Sequence, residues 1–149
     1  MMKSKRLEPI REIASNAADS LQPAVATAGK HLAEMERQLE QLLNYRADYV
    51  SRSERAPGSV DAVRLQNFRS FLGRLTDAIR LQKESVEAAR ADYEAKRQQW
   101  SAKRVEAEAL GKAVERFRVD ERRAQDRRDQ HESDEASLRR AASRETGTA

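Results

Sequence analysis

The chain has 149 residues, of which 38% are hydrophobic, 36% are charged and 5% are aromatic. This composition favours long helices and supplies too little large apolar surface for a compact globular core. The formal net charge of +4 is the small difference between 29 basic and 25 acidic residues, so we expect no nucleic-acid partner. The absence of cysteine excludes disulfides and thiolate metal sites. These features predict one elongated all-α domain built around a narrow apolar seam.

An apolar heptad series predicts a first helix over about residues 5–55. Every seventh residue from Leu7 is apolar or aromatic, giving Leu7, Ala14, Leu21, Ala28, Met35, Leu42 and Tyr49. The companion seam positions begin as Ile10, Ala17 and Ala24 and then shift to Val25, Leu32 and Leu39. Such drift is expected because a helical turn of 3.6 residues does not divide evenly into seven.

Two prolines fall within this first helix. Pro9 lies close enough to its start to occupy the first turn, where a proline is tolerated. Pro23 lies in the interior, where a proline removes a backbone hydrogen bond at a cost of about 3 kcal/mol. We therefore expect a kink at residues 20–23, or a short initial helix followed by a restart.

Proline and glycine in the segment Ala56-Pro57-Gly58-Ser59 predict a turn over residues 56–60. A second helix is then predicted over about residues 61–135, with Ser59 as its N-cap and Asp61 in its first turn. The chain should therefore fold as a long antiparallel two-helix coiled-coil hairpin, a single domain over residues 1–136. The polar ending, residues 137–149, predicts a disordered tail.

Two heptad series run along the second helix. One is free of polar residues and reads Leu65, Leu72, Ile79, Val86, Tyr93, Trp100, Ala107 and Val114. The other includes polar residues and reads Phe68, Leu75, Gln82, Ala89, Lys96, Lys103, Leu110 and Phe117. Because these series extend further than those of the first helix, the second helix is predicted to be the longer one.

A turn centred near Gly58 implies that facing residues have numbers that sum to about 116 or 117. By this rule Leu7 lies near residue 109 or 110. Val114 and Phe117 would then continue the seam beyond the first helix without a partner in the chain. We expect another molecule to cover them.

Sequence patterns typical of catalysis are missing. The chain has no glycine-rich phosphate loop, no nucleophile elbow and no pair of histidines at metal-ligand spacing, because His31 and His131 lie far apart. Its carboxylates alternate with Arg and Lys at helical spacing, which is typical of an ion-paired surface. We expect a protein that is not an enzyme and binds no cofactor or metal. Without an apolar run of roughly 20 residues or a secretory signal, it should remain in the cytoplasm.

Four segments resemble a known family. They are QLLNYRADYVSR at residues 41–52, NFRSFLGRLTDAIRLQ at 67–82, Trp100, and ERFRVDERRAQDRRDQHESDE at 115–135. Over nearly its whole length the chain resembles the FliJ family of flagellar type III export proteins. The resemblance implies a stalk-like hairpin that binds the hexameric export ATPase FliI, together with FliH. It further implies contact with the export gate protein FlhA, escort of export chaperones, and a peripheral location at the inner face of the cell membrane.

The resemblance also implies functional residues. We call the residues that match the family's gate-contact positions the gate stripe: Gln38, Leu42, Tyr45, Tyr49, Phe71, Leu75, Ala78 and Gln82. The alternative interpretation is that these side chains are simply seam core. For the ATPase contact we expect Val114, Phe117, Arg122 and Arg123, with the basic start of the chain at residues 3–11 as the other possibility.

Other functions remain open at this point. The closest alternative is the equivalent stalk of a virulence-type injectisome, although the pair Tyr45 and Tyr49 with Phe71 favours the flagellar version. A generic coiled-coil spacer or a nucleic-acid-associated arm is a third possibility.

Overall fold

The computed structural model describes residues 2–55 and 61–147. It contains two helices, α1 over Lys3–Arg55 and α2 over Ala62–Gly147, and no strand within the described ranges. The helices pack against each other, so the predicted all-α hairpin with a longer second helix is confirmed. The predicted turn at 56–60, including Ser59, lies outside the described residues.

Asp61 caps the start of α2. Its carboxylate Oδ1 accepts a hydrogen bond from the backbone N–H of Arg64 at 2.7 Å, and its carbonyl accepts one from the N–H of Leu65 at 3.1 Å. This is the geometry of an N-cap residue, which satisfies an amide that has no acceptor within its own helix. The residue expected within the first turn is therefore the cap itself.

The first predicted heptad series of each helix forms the seam. Ala14 and Ala28 on α1 are buried, as are Ile79 and Val86 on α2. No member of the α1 series is exposed, and the α2 series is buried or half-buried except at its first position.

The companion series predicted at the start of α1 is wrong at its first residue, Ile10, whereas its next members, Ala17 and Ala24, are half-buried. Ile10 is 50% exposed, whereas Ser4 and Ala18 are buried. Ser4 and Ala18 lie at heptad spacing from Val25, although Arg11, which lies between them in this series, is exposed. Ile10 was predicted as a seam residue because it is apolar. Burial depends instead on which side of α1 faces α2, and Ile10 does not lie on that side.

Pro23 does not interrupt the helix. The assignment of α1 is continuous from Lys3 to Arg55, so the restart predicted near this position does not occur. The proline ring is exposed, which keeps its bulk out of the seam. The lost hydrogen bond to the carbonyl of Asp19 is the remaining cost.

The described residues group into two compact units. The first unit comprises the described parts of Met1–Ala18 and Lys103–Ala149, and the second is Asp19–Ala102. In the second unit Tyr45 meets Phe71 and Met35 meets Gln82. In the first unit Arg11 lies over Gly111. Within each unit, residues later in α1 meet residues earlier in α2, as antiparallel helices require.

Each unit has two distinguishable sides along its seam. In the second unit Arg90 forms an interhelical ion pair with Glu36 at 3.2 Å, and in the first unit Arg118 pairs with Glu8 at 3.2 Å. In the heptad of each helix these four residues occupy the e position. We call the side with the ion pair the e-side of that unit, and the opposite side its g-side.

The end of α2 also differs from the prediction. Residues 137–147, expected to be a disordered tail, are helical, and α1 begins at Lys3 instead of near residue 5. The side chains of this last segment are exposed. Its alanines and arginines favour a helix, and Glu135 adds an ion pair with Arg139 at 3.6 Å and a contact with His131 Nδ1 at the same distance.

Candidate protein-binding surfaces

The second unit brings the two halves of the gate stripe together on its g-side. Tyr45 and Phe71 occupy g positions of their helices and meet edge to face, with ring centroids 6.1 Å apart. Tyr49, one helical turn further, packs on the same phenylalanine at 4.5 Å. Because g positions of antiparallel helices lie on the same side of the seam, residues 26 positions apart in sequence form one surface.

The aromatic side chains form a cluster that extends into the seam. Tyr49 also stacks on Phe68, with centroids 5.2 Å apart and planes inclined by 15°. Offset and edge-to-face contacts of this kind stabilise aromatic pairs beyond the area that they bury. Tyr45 is the outermost member and is 54% exposed. The cluster therefore holds one exposed tyrosine on a well-packed base.

Amide side chains continue the surface along the second unit. Gln82 Nε2 donates to the backbone carbonyl of Met35 at 3.0 Å and to Gln38 Oε1 at 3.2 Å. Gln38 Nε2 donates in turn to the carboxylate of Glu34 at 3.2 Å. These bonds satisfy a polar side chain at a seam position and fix the orientation of two stripe residues.

Burial divides the gate stripe into two kinds of residue. Leu75 is 8% exposed, so for this residue the seam-core interpretation suffices. Tyr45 is exposed, and the other six residues of the stripe are half-buried: Gln38, Leu42, Tyr49, Phe71, Ala78 and Gln82. Leu81, which the sequence analysis did not select, is exposed beside Gln82 and extends the apolar surface. Leu81 is an apolar residue outside both heptad series of α2, and this could have indicated from the sequence that it is exposed.

A mostly apolar groove of about 500 Å³ lies where α1 ends and α2 begins. Its lining includes Tyr49, Leu65, Phe68 and Leu72. Leu65, predicted as the first seam residue of α2, is exposed here. The groove shares Tyr49 and Phe68 with the aromatic cluster, so it belongs to the same region of the second unit.

In the first unit, the expectation that Val114 and Phe117 lack a partner within the chain is wrong. Val114 is the most buried of the large side chains described, at 1% exposure. Phe117 is half-buried, and the Lys3 ammonium lies 5.4 Å from its ring centroid. The fixed pairing sum failed, because Arg11 lies over Gly111 and Ser4 meets Glu121. The start of α1 therefore covers this part of α2.

Ser4 and Glu121 form a polar contact that the sequence analysis missed. Glu121 accepts hydrogen bonds from the Ser4 hydroxyl at 2.5 Å and from its backbone N–H at 3.1 Å. The bond from the Ser4 hydroxyl lowers the pKa of the Glu121 carboxyl, as do the Ser4 amide and the charge of Arg118. Ser4 lies two heptads before Ala18, so its position in the seam could have been read from the spacing.

The two arginines expected at the ATPase contact are both exposed. Arg122 forms a 3.5 Å ion pair with Glu115, while Arg123 pairs with no described residue. These arginines follow Glu121, where the contact with the start of α1 ends. Their role as a binding site stays a prediction.

Neither a metal-ion cluster nor a candidate membrane span is found within the described residues. The described residues contain no group of three or more side chains able to hold a metal ion. Within the same ranges, neither helix has a stretch that is both long and apolar enough to cross a membrane. Paired helices carrying exposed aromatic and basic side chains define a helical-hairpin protein whose surfaces suit protein binding.

Comparison with known families extends this classification. The family model for the flagellar FliJ protein matches residues 2–146, and the chain belongs to this family. It is therefore a component related to flagellar type III protein export, which favours that interpretation over an injectisome stalk or a generic spacer. Searches of curated proteins and of solved structures gave no significant match.

Proposed function

We propose that the chain acts as the stalk component of the flagellar export apparatus, without catalytic activity of its own. In this role it binds the export ATPase FliI, together with FliH, contacts the export gate protein FlhA and escorts export chaperones. It would work in the cytoplasm at the inner face of the cell membrane. Membership of the family supports the role, and the exposed tyrosine on the g-side of the second unit is the observation that carries it.

The gate contact is best supported at the exposed part of the gate stripe. Tyr45 projects from an aromatic base that holds it in place, and Leu81 adds exposed apolar area. Aromatic side chains are enriched at the energetic centres of protein interfaces, since they bury a large area at little entropic cost. Leu75 belongs to the seam and contributes to this surface only by supporting it.

For the ATPase contact we keep the exposed arginines of α2 and no longer include the seam residues Val114 and Phe117. Val114 is covered within the chain and cannot insert into another protein without unfolding the start of α1. Arg122 and Arg123 are exposed immediately beyond the paired part of the helix. A ring with acidic groups in its lumen would complement them, which favours rapid and specific association.

Binding to the cytoplasmic region of FlhA tests the gate contact. Tyr45→Ala should weaken binding about tenfold or more, as expected for an aromatic interface anchor, without changing helicity. Leu43→Ala is the matched control, because this exposed leucine lies on the e-side of the same unit. Equal effects of the two substitutions, or none from either, would place the gate contact elsewhere.

Stimulation of the export ATPase tests the second contact. The double substitution Arg122→Glu and Arg123→Glu should abolish most of the stimulation while leaving the melting curve unchanged. Arg69→Glu with Lys83→Glu makes the same charge change on exposed residues of the second unit. If this control pair reduces stimulation equally, the effect reflects net charge alone and the assignment to the arginines fails.

A further inference from the structure

Two large apolar side chains in the first unit are exposed where the helices are otherwise well paired. Ile10 is 50% exposed and Ile13 is 69% exposed. Their spacing of three residues places them side by side on one face of α1. Neither belongs to the seam, which in this part of the helix runs through Ser4, Ala14 and Ala18.

The face that carries the isoleucines continues onto α2. Ile10 lies about 200° around α1 from Glu8, and Ala113 lies about 220° around α2 from Arg118. Because Glu8 and Arg118 pair on the e-side, both residues lie on the g-side of the first unit. Ala109 occupies the same side of α2, one turn from Ala113.

This arrangement forms a seat for a third helix. Ile10 and Ile13 form a ridge on α1, while the small side chains of Ala109 and Ala113 leave a shallow depression on the adjacent surface of α2. Small residues beside larger ones let another helix approach closely and place its own side chains between the two. The apolar part spans about one turn on each helix, enough for the central contact of an amphipathic helix of three to four turns.

The rim of this seat is basic. Arg6 lies one turn before Ile10, and Arg116 and Arg123 follow Ala113 along the same side of α2. All three arginines are exposed, and none forms an ion pair with another described residue. Asp120 and Glu106 lie on the same side and offset part of this charge, but Glu106 is already paired with Lys103 at 3.4 Å, so the rim remains positive. A partner with acidic residues flanking an apolar stripe complements it.

We propose that the g-side of the first unit, centred on Ile10 and Ile13, docks an acidic amphipathic helix of a partner protein as a third helix. A second copy of this chain fits less well, because a symmetric contact would bring two positive rims together. The inference uses neither Tyr45 nor Arg122, so it is distinct from the gate contact. It shares Arg123 with the proposed ATPase contact, and the test below therefore substitutes Arg6 and Arg116 instead.

A synthetic helical peptide tests the proposal with the full chain. The peptide has about 18 residues, leucines at positions i, i+3, i+7 and i+10, glutamates on both flanks and a fluorescent label. We expect saturable binding that the double substitution Ile10→Ser and Ile13→Ser weakens at least tenfold. The matched control is Leu43→Ser with Val63→Ser, two exposed apolar residues of the second unit, which should change affinity less than twofold. Arg6→Gln with Arg116→Gln should weaken binding and reduce its dependence on salt.

Several outcomes would overturn the proposal. One is equal loss of binding in the control pair, and another is equal affinity for a peptide in which lysines replace the glutamates. Self-association in sedimentation equilibrium that Ile13→Ser abolishes would identify a second copy as the occupant. Binding to phosphatidylglycerol vesicles that depends on both isoleucines, with no binding to the acidic peptide, would identify a lipid surface instead. Melting curves of all variants establish that each remains folded.

Discussion

The carboxylate of Glu121 on α2 accepts hydrogen bonds from both the hydroxyl and the backbone N–H of Ser4 on α1. Ser4 lies in the first turn of its helix, where amides have no acceptor within the helix. A side chain from the second helix therefore caps the first. The ion pair between Glu8 and Arg118 lies one turn along the same contact. Together these two pairs, which we call the terminal clasp, join the start of α1 to residues 118–121 of α2.

The terminal clasp should make the stability of the fold depend on pH. Hydrogen bonds from Ser4 lower the pKa of Glu121 in the folded state. A depressed folded pKa stabilises the fold above the ordinary carboxyl pKa of about 4.3, and this contribution is lost as pH falls through the lower folded value. Glu121→Gln should therefore lower the melting temperature at pH 7, and the difference from the native chain should disappear at acid pH.

Thermal melts followed by circular dichroism between pH 3 and pH 7 measure this difference. Glu132→Gln is the control, because Glu132 lies on the exposed continuation of α2 and forms no ion pair with a described residue. A pH-independent difference between the native chain and Glu121→Gln would show that the ionised carboxylate has no special role in the clasp.

Val114 offers a second prediction, which reverses the expectation from the sequence. Because its side chain is almost wholly buried, Val114→Ala should lower the free energy of unfolding by about 1.5 kcal/mol. Val105→Ala makes the same chemical change at an exposed position of the same unit and should cost under about 0.5 kcal/mol. Urea titrations monitored at 222 nm measure both. Equal small effects would mean that the start of α1 does not pack on α2.

The sequence was sufficient to predict the hairpin because its strongest signal is apolar periodicity. The series through Ala14 and Ala28, and the one through Ile79 and Val86, correspond to buried positions in the structure. Burial at a fixed period is what two packed helices need, which is why this periodicity predicts the hairpin.

The far end of the pairing could not be predicted in the same way. A fixed sum assumes that each layer uses the same number of residues from both helices, and it holds for Tyr45 with Phe71. It fails for Ser4 with Glu121, whose numbers sum to 125 instead of about 117. This contact joins two polar residues, which a search for apolar repeats treats as gaps. Heptad spacing from Ala18 could have placed Ser4 in the seam, but only the three-dimensional register reveals Glu121 as its partner.

The gate stripe leads to a third prediction, which separates seam from surface. Leu75→Ala removes a buried leucine and should cost about 2–5 kcal/mol of unfolding free energy. Tyr45→Ala removes a half-exposed ring with one edge-to-face contact and should cost about 1 kcal/mol or less. Urea titrations again provide the measurement. If Tyr45→Ala lowered the unfolding free energy as much as Leu75→Ala, the whole stripe would be seam core.

A polar residue within the seam gives the last prediction. Gln82 occupies a position where its series otherwise carries Leu75 and Ala89, and it donates to Met35 and Gln38 on α1. A polar residue at such a seam position can fix the register of paired helices at a cost in stability. Gln82→Leu should therefore raise the free energy of unfolding by about 1 kcal/mol, whereas Gln82→Ala should lower it, because both the packing and the hydrogen bonds are lost.

The register itself can be measured with introduced cysteines, since the chain has none of its own. Tyr45→Cys with Phe71→Cys reports the native register, in which these residues meet across the g-side. Tyr45→Cys with Ala78→Cys reports a slip of α2 by one heptad. With Gln82 in place, only the first pair should form a disulfide under mild oxidation. In the Gln82→Leu background the second pair should crosslink as well, because an apolar seam tolerates both alignments. If the substitution destabilises the hairpin, or if the slipped pair still fails to crosslink, then Gln82 does not specify the register and its hydrogen bonds to α1 contribute stability alone.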